Sequence, residues 1–341
     1  MKKNIIILFI FFFLPNITFA DIGDSFYIIN GKIYLNKKEV VLIGANIAFW
    51  NKRWEKATEN DLQNDLKLIK KIGNCARIFV PYGDEKEGYF GTLNVRKDFL
   101  RKLIFFADEA KKDGIAVIVC FLFIRYDQIN TNQIFVKQVI DKLAYFRNVI
   151  YDIQNEPDLE AQYIPERRPI IVNWCNQMAE FIKNNDPGHH LVTIGFSGID
   201  MIVNEEISLN NVDIISFHIG GKVSPFILKN RVLRLRGFLK KKMDSGKPIA
   251  IEEIGISSND FNETARMDLF RSYINTAKSL DIPIYLWWVL RDIPKDPNAI
   301  DGDKIWLEPH RWGIFETDGK AKRGSTEVAI TFGMEATKLK F

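Results

Sequence analysis

The chain is poor in the residues that hold metals and disulfides. In 341 residues it has three cysteines (Cys75, Cys120, Cys175) and four histidines (His189, His190, His218, His310). No His-Glu-x-x-His occurs and no cysteine has the spacing of a metal site, so neither a metal nor another cofactor is expected. An odd, sparse cysteine set inside apolar segments reads as buried thiols, although Cys75 and Cys120, on strands that can be neighbours, leave a disulfide open. Charge of one sign is also scarce. The formal net charge is +4, without the concentrated basic excess of a nucleic-acid-binding protein, so no nucleic-acid partner is expected. The longest apolar runs, Ile5 to Leu14 and Ile115 to Ile124, fall short of the roughly 20 residues that span a bilayer. No Ser/Gly/Pro-rich linker divides the chain, and one domain is expected.

What is present begins with a leader. Met1-Lys2-Lys3-Asn4, the apolar run, Pro15 and then Thr18-Phe19-Ala20 make the positive, apolar and small-residue regions of a secretion signal peptide over residues 1–20, cleaved before Asp21. No cysteine follows the apolar run, which argues against a lipid anchor. The expected product is residues 21–341, a single exported domain (secreted or periplasmic), monomeric and not inserted in a membrane. Loss of Lys2 and Lys3 lowers its net charge from +4 to +2.

After the leader, Phe26 to Ile43 alternates around Asn30-Gly31 and Asn36-Lys37, the pattern of a short hairpin. Then a rhythm sets in. Strands are expected at Val41–Asn46, Cys75–Val80, Ile115–Phe123, Val149–Ile153, Leu191–Ile194, Val212–Phe217, Pro248–Ile251 and Pro283–Trp288. Helices are expected between them at Thr58–Ile72, Asp98–Lys112, Asn132–Phe146, Ile170–Asn184, Pro225–Met243 and Ala265–Leu280, with a last one at Thr326–Leu339. The strands are apolar on both faces, as in a parallel sheet covered on every side. Eight such units fit a closed (β/α)₈ barrel, and no glycine-rich phosphate loop follows the first strand to favour a dinucleotide-binding sheet. The helix Pro225–Met243 carries Lys229, Arg231, Arg234, Arg236 and Lys240 to Lys242, which reads as the solvated outer face of a barrel helix.

Active sites of such barrels lie at the C-terminal strand ends. There the chain places Asn46, Arg77, Asn155-Glu156, His218, Glu252-Glu253 and Trp287-Trp288. Two of these ends are carboxylates on apolar strands: Asp152-Ile153-Gln154-Asn155-Glu156-Pro157, and Pro248-Ile249-Ala250-Ile251-Glu252-Glu253-Ile254-Gly255. Two carboxylates at one mouth are what hydrolysis of a glycosidic bond requires. Because successive strand residues face opposite ways, only one of Glu252 and Glu253 is expected to face the mouth. Trp50 and Trp54, just after the first barrel strand, are candidates to extend a sugar-binding cleft, Trp50 the better placed.

These motifs resemble clan A glycoside hydrolases, most closely glycoside hydrolase family 5. The likeness runs from Leu42-Ile43-Gly44-Ala45-Asn46 through Arg77, Asn155-Glu156-Pro157, Ser216-Phe217-His218, Ile251-Glu252-Glu253-Ile254-Gly255 and Trp288 to Trp312-Gly313-Ile314-Phe315. The resemblance implies a retaining double displacement on a β-linked glycan, with Glu156 as general acid/base and Glu253, directly before an apolar residue and glycine, as nucleophile. It implies that Arg77 keeps Glu253 ionised while Glu156 starts protonated, that Asn155 bonds the sugar 2-hydroxyl, and that His218 and Trp288 line the substrate site. Two positions depart from the pattern. Gly220 stands where many members have a tyrosine, and strand three ends in Leu122-Phe123-Ile124 rather than a histidine. A transglycosylase using the same site and a catalytically silent glycan-binding barrel are the rival readings.

Overall fold

The computed structural model describes residues 25–47, 57–81, 97–122, 126–204, 206–221, 223–244, 246–257, 260–293, 312–322 and 324–341. The leader, Trp50, Trp54 and His310 lie outside them. The chain opens with a three-stranded antiparallel sheet, β1 (Tyr27–Ile29), β2 (Lys32–Leu35) and β3 (Lys38–Val40). The expected hairpin is thus extended by a third strand. Asn30, Gly31, Asn36 and Lys37 all have positive φ, between 51° and 77°, the backbone that two-residue hairpin turns require.

Eight parallel strands then close into a barrel. β4 (Leu42–Ile47) leads to α1 (Glu59–Ile72), β5 (Cys75–Pro81) to α2 (Lys97–Lys112), and β6 (Ala116–Leu122) to α3 (Ile129–Leu143). β7 (Val149–Asn155) leads to the short α4 (Pro157–Tyr163) and then α5 (Arg168–Asn185), and β8 (Val192–Phe196) to α6 (Asp200–Val203). β9 (Ile214–Gly220) leads to α7 (Pro225–Lys241), β10 (Ile249–Gly255) to α8 (Glu263–Ser279), and β11 (Ile284–Trp288) to α9 (Ser325–Gly333). Strands follow one another in chain order, and β11 pairs back onto β4.

Local chemistry sets these elements. Thr58 caps α1: its hydroxyl accepts from Asp61 N, and the Asp61 carboxylate accepts from Thr58 N. Such a reciprocal cap is worth about 1 kcal/mol. The buried stripe Leu62, Leu66, Ile69 and Ile72 faces the barrel at helical spacing. The helix stops at Gly73, where a Cβ would lie 2.0 Å from the Ile43 carbonyl oxygen. At the other end of the chain α9 stops at Gly333, short of the expected Leu339. A Cβ at Gly333 would lie 2.4 Å from the Ile72 carbonyl carbon, so the backbones of α9 and α1 touch there.

The core has two parts. Outer strand faces pack on the helices, with Trp174, Tyr273 and Trp287 fully buried among them. Inside the barrel, Leu42, Ile118, Ile150, Ile214 and Ile284 meet Ile33, Leu35 and Val40 of the small sheet. That sheet plugs the N-terminal floor, and polar side chains are left to gather at the opposite mouth.

Candidate active site

Arg77 is the hub of the mouth. It is fully buried, and every guanidinium N–H is committed. Nε and Nη2 donate to Asp152 Oδ2 at 3.0 and 2.6 Å, and Nη2 also donates to Asn155 Oδ1 at 2.8 Å. Nη1 donates to Asn46 Oδ1 at 2.9 Å and to Glu253 Oε1 at 2.8 Å. The Cys120 thiol lies 3.3 Å from Nη2, and all three cysteines are free and buried. Asn46 in turn donates to the carbonyls of Glu252 and Trp287, tying β4 to β10 and β11. An arginine is suited to this role because its planar fork serves several fixed acceptors at once.

Glu252 and Glu253 do not divide between the two faces of β10 as strict alternation would have it. The pairing of β10 slips between Ile251 and Glu253 against β9, and between Ile251 and Ile254 against β11. A bulge re-aims side chains in this way. Both carboxylates therefore reach Arg77: Glu253 by hydrogen bond, and Glu252 Oε2 at 3.7 Å from Nε. Glu253 sits at the mouth with its side chain 12% exposed, Glu252 deeper at 0%. The same slip on β7, between Asp152 and Asn155, brings those two residues to one guanidinium although they are three apart.

Glu156 begins a turn of its own. It has φ 47° and ψ 50°, and it caps α4, whose first residue is Pro157. Left-handed backbone costs a residue with a side chain on the order of 1–2 kcal/mol. Here it is held by the Glu156 N–H to the Gly195 carbonyl at 2.6 Å. The turn points the carboxylate at His218, whose Nδ1 lies 2.8 Å from Glu156 Oε1 and 3.5 Å from Glu253 Oε2. Gly195 leaves the room for this. A Cβ there would fall 2.9 Å from His218 Nε2, 3.0 Å from Arg77 Nη2 and 3.1 Å from Glu252 Oε2.

Electrostatics follow from this crowding. Burial alone would raise the Glu156 carboxyl, but the hydrogen bond and charge of His218, with the charge of Arg77, hold it below the usual glutamate range. Burial raises Glu253, and the charge of Glu156 adds to that against the opposing pull of His218 and Arg77. Burial works to lower His218, yet the charges of Glu253 and Glu156 push it above the usual histidine value. Relative to their ordinary values Glu156 is drawn toward its anionic form and His218 toward its cationic form, so the shift at Glu156 runs opposite to the one expected from sequence. The physical reason is that His218 stands between the two carboxylates, within 2.8 Å of one and 3.5 Å of the other.

Around this triad lies a cavity of about 300 Å³. Trp288 forms part of its wall and meets Phe79 edge to face at 5.8 Å; the Trp288–Val289 peptide is cis. Of the residues expected at the site, Arg77, Asn155, Glu156, His218, Glu253 and Trp288 converge here, while Trp50 is outside the described residues. Others were not foreseen as site residues. Trp312 lines the same cavity, its ring lying where a Cβ on Gly255 would be, 2.9 Å away. Arg266 anchors that segment through its guanidinium to the carbonyls of Ile256, Trp312 and Gly313 and to the Ser325 hydroxyl. Ser197, also in the wall, is held by Asp158 through its N–H and hydroxyl. The Trp312-Gly313 pair in the closing segment was a usable sequence signal for the first of these. No comparable signal marks Ser197 or Gly195.

Glu156, His218 and Glu253 are also the described His/Cys/Asp/Glu group with metal-like spacing, their ligand atoms all within 4.8 Å of one another. In this structure they hydrogen-bond among themselves and to Arg77, as proton-handling groups do. Among the described residues, no helix is long and apolar enough to cross a membrane.

The sequence model of Cellulase (glycosyl hydrolase family 5) matches residues 35–292. Comparison with curated proteins gives no match. Among solved structures, the exo-beta-1,4-mannosidase Op5Man5 from Opitutaceae bacterium strain TAV5 superposes with a TM-score of 0.73 at 16% identity, over 90% of this chain. The match covers 62% of that mannosidase, less than two thirds of its length. A GH5_18 protein from Bifidobacterium longum subsp. longum ATCC 55813, in complex with Manb1-4GlcNAc, gives 0.66 at 17% identity over 86% of this chain and 77% of its own. The endo-1,4-beta-mannanase from Rhizomucor miehei gives 0.60 at 14% identity, covering 92% of this chain and 98% of its own. With the family model spanning most of the chain, the chain belongs to glycoside hydrolase family 5.

Proposed function

We propose that this enzyme hydrolyses a β-linked oligosaccharide or polysaccharide with Glu253 as nucleophile and Glu156 as general acid/base. The observation that carries this reading is the proximity of the two carboxylates, which have oxygens within 4.8 Å of each other. Retaining enzymes hold their carboxyl groups about 5–5.5 Å apart, whereas inverting ones need roughly 6.5–9.5 Å to admit a water.

Glu253 Oε1 is fixed by Arg77, which leaves Oε2 to attack the anomeric carbon. The acid step needs a proton on Glu156. His218 Nδ1 at 2.8 Å supplies it without any change in total charge, because the pair with the proton on His218 and the pair with it on Glu156 differ only by transfer along one hydrogen bond. A bound glycoside that excludes water and presents its leaving oxygen to Glu156 selects the second form. The C–O bond to the leaving group breaks as Glu156 protonates that oxygen and Glu253 forms the glycosyl ester. Glu156, now anionic, takes a proton from water, and the hydroxide displaces Glu253 from the sugar.

Asn155 gives its carbonyl oxygen to Arg77, so its amide N–H₂ remains for the sugar 2-hydroxyl. Trp288 and Trp312 offer flat faces on which a pyranose ring stacks. The leader supports export of the mature chain from Asp21 to the periplasm or medium. The test is turnover of aryl β-glycosides and of soluble β-glucan, mannan and xylan by the wild type beside Glu253→Gln. Activity in the wild type alone upholds the assignment, and a fully active Glu253→Gln would remove it.

A further inference from the structure

The cavity contains one cation that the hydrolysis of a neutral glycoside does not use. Arg231 of α7 turns inward, is half-buried, and lines the cavity beside Glu156, Ser197 and Gly221. Among the described residues its one hydrogen bond is Nη1 to the carbonyl oxygen of His218 at 3.2 Å, at the end of the strand that carries the proton-sharing histidine. The expectation of a solvated outer helix face holds for Lys229, Arg234, Arg236, Lys240 and Lys241, which are exposed, and fails for Arg231.

Four observations say what Arg231 awaits. No carboxylate among the described residues pairs with it, whereas nearby arginines are matched: Arg234 with Asp200, Arg168 with Glu206, Arg77 with Asp152 and Glu253. The two catalytic carboxylates are already bonded to His218 and Arg77, so Arg231 is not needed to hold them. The space beside it is open. A Cβ at Gly220 would meet only the Gly255 carbonyl, at 3.6 Å, and one at Gly221 would meet nothing within 4 Å. Finally, α7 has basic residues but no acidic one from Pro225 to Lys241, so its own helix offers Arg231 no carboxylate partner. A guanidinium partly removed from water and left with free N–H donors is a ready site for a carboxylate, which it binds in a planar fork.

We infer that Arg231 is a specificity-determining residue that selects a glycan bearing an anionic group, the carboxylate of a uronic acid or a sugar phosphate, in this cavity. The inference rests on the reading of the cavity as a glycoside site and adds the substrate's charge to it. A charge-assisted hydrogen bond is worth about 1.5–3 kcal/mol, so the selection is expected to be roughly 10- to 100-fold.

The experiment uses aryl β-glycosides in pairs that differ only at C6: glucoside and glucuronide, mannoside and mannuronide, galactoside and galacturonide, with glucoside 6-phosphate beside the first pair. Wild type, Arg231→Met and Arg231→Lys are compared, each checked for folding by thermal melting. In one pair the wild type should favour an acidic member by at least about tenfold in kcat/KM. Arg231→Met should collapse that ratio, and Arg231→Lys, which keeps the charge but not the fork, should retain part of it. Preference for the phosphate over the uronide would name the second source. Neutral substrates favoured in every pair, or an acidic preference that survives in Arg231→Met, would overturn the inference while leaving the hydrolase intact. Should no pair be turned over, calorimetric binding of the matching methyl glycosides decides. An acidic preference lost in Arg231→Met keeps the inference and removes the hydrolase reading, whereas equal binding, or none, removes the inference too.

Discussion

Replacing Glu252 by glutamine should make the protein more resistant to alkaline pH, and the size of the gain follows from the barrel interior. Glu252 is fully buried, and among the described residues its carboxyl oxygens make no well-formed hydrogen bond, the Ser216 hydroxyl giving only a weak one. Arg77, its nearest cation, has spent its N–H donors on Asp152, Asn155, Asn46 and Glu253, so it helps Glu252 through charge alone. Burial, then the neighbouring negative charge of Asp152, push the Glu252 carboxyl up from 4.5 to about 7 against the pull of Arg77 and His218. One pH unit of difference corresponds to about 1.4 kcal/mol. Ionised Glu252 therefore costs the native state about 3 kcal/mol relative to its neutral form.

Between about pH 4.5 and 7 the folded chain holds a proton here that the unfolded chain has released, so stability falls as pH rises through that window. Glutamine cannot ionise. Urea unfolding of wild type and Glu252→Gln at pH 5, 6, 7 and 8 gives two curves in which every other titration is shared. Their difference should grow in favour of the variant by about 1.4 kcal/mol per pH unit and level off near about 3 kcal/mol above pH 7. The glutamine amide shifts the whole difference only by a constant, so the slope is the readout. A difference that does not change with pH would refute the neutral buried acid.

Glu156→Ala should lose on the order of 10²- to 10⁴-fold on glycosides with poor leaving groups but much less on dinitrophenyl glycosides, which need no proton; equal losses in steady-state assays would count against its acid role. Arg77→Lys cannot serve Asp152, Asn155 and Glu253 together, and kcat should drop by about 10²-fold or more with the fold retained by circular dichroism. Arg266→Met would strip the carbonyls of Ile256, Trp312 and Gly313 of their donors. It should cost about 3 kcal/mol in denaturant unfolding and raise KM as Trp312 loses its anchor; an unchanged KM would show that Trp312 does not contact substrate. Trp288→Ala should raise KM about tenfold for oligosaccharides, matching about 1–1.5 kcal/mol of ring stacking, and an unchanged KM would place the sugar elsewhere in the cavity.

What the sequence determined by itself is the architecture and its polar rim. Strand and helix periods are local, and eight apolar runs, all but Leu191–Ile194 followed by an amphipathic one, can close only by covering every strand on both faces. Asn155, Glu156, His218 and Glu253 were legible because each stands within three residues of the end of an apolar run, at the strand ends where barrels place their chemistry. Tertiary structure decided the rest. Glu252 and Glu253 share one guanidinium because β10 slips against both neighbours, and a slip depends on strands distant in the chain. Arg231 turns into the cavity although its helix reads as basic throughout, since the end of β9 and the open space at Gly220 and Gly221 give it somewhere to go. Trp312 joins the wall through Arg266, a link between segments some 46 residues apart. Where the proton rests is likewise a property of three side chains from β9, β10 and the start of α4. Charges interact through space and not along the chain, so no local pattern could assign it.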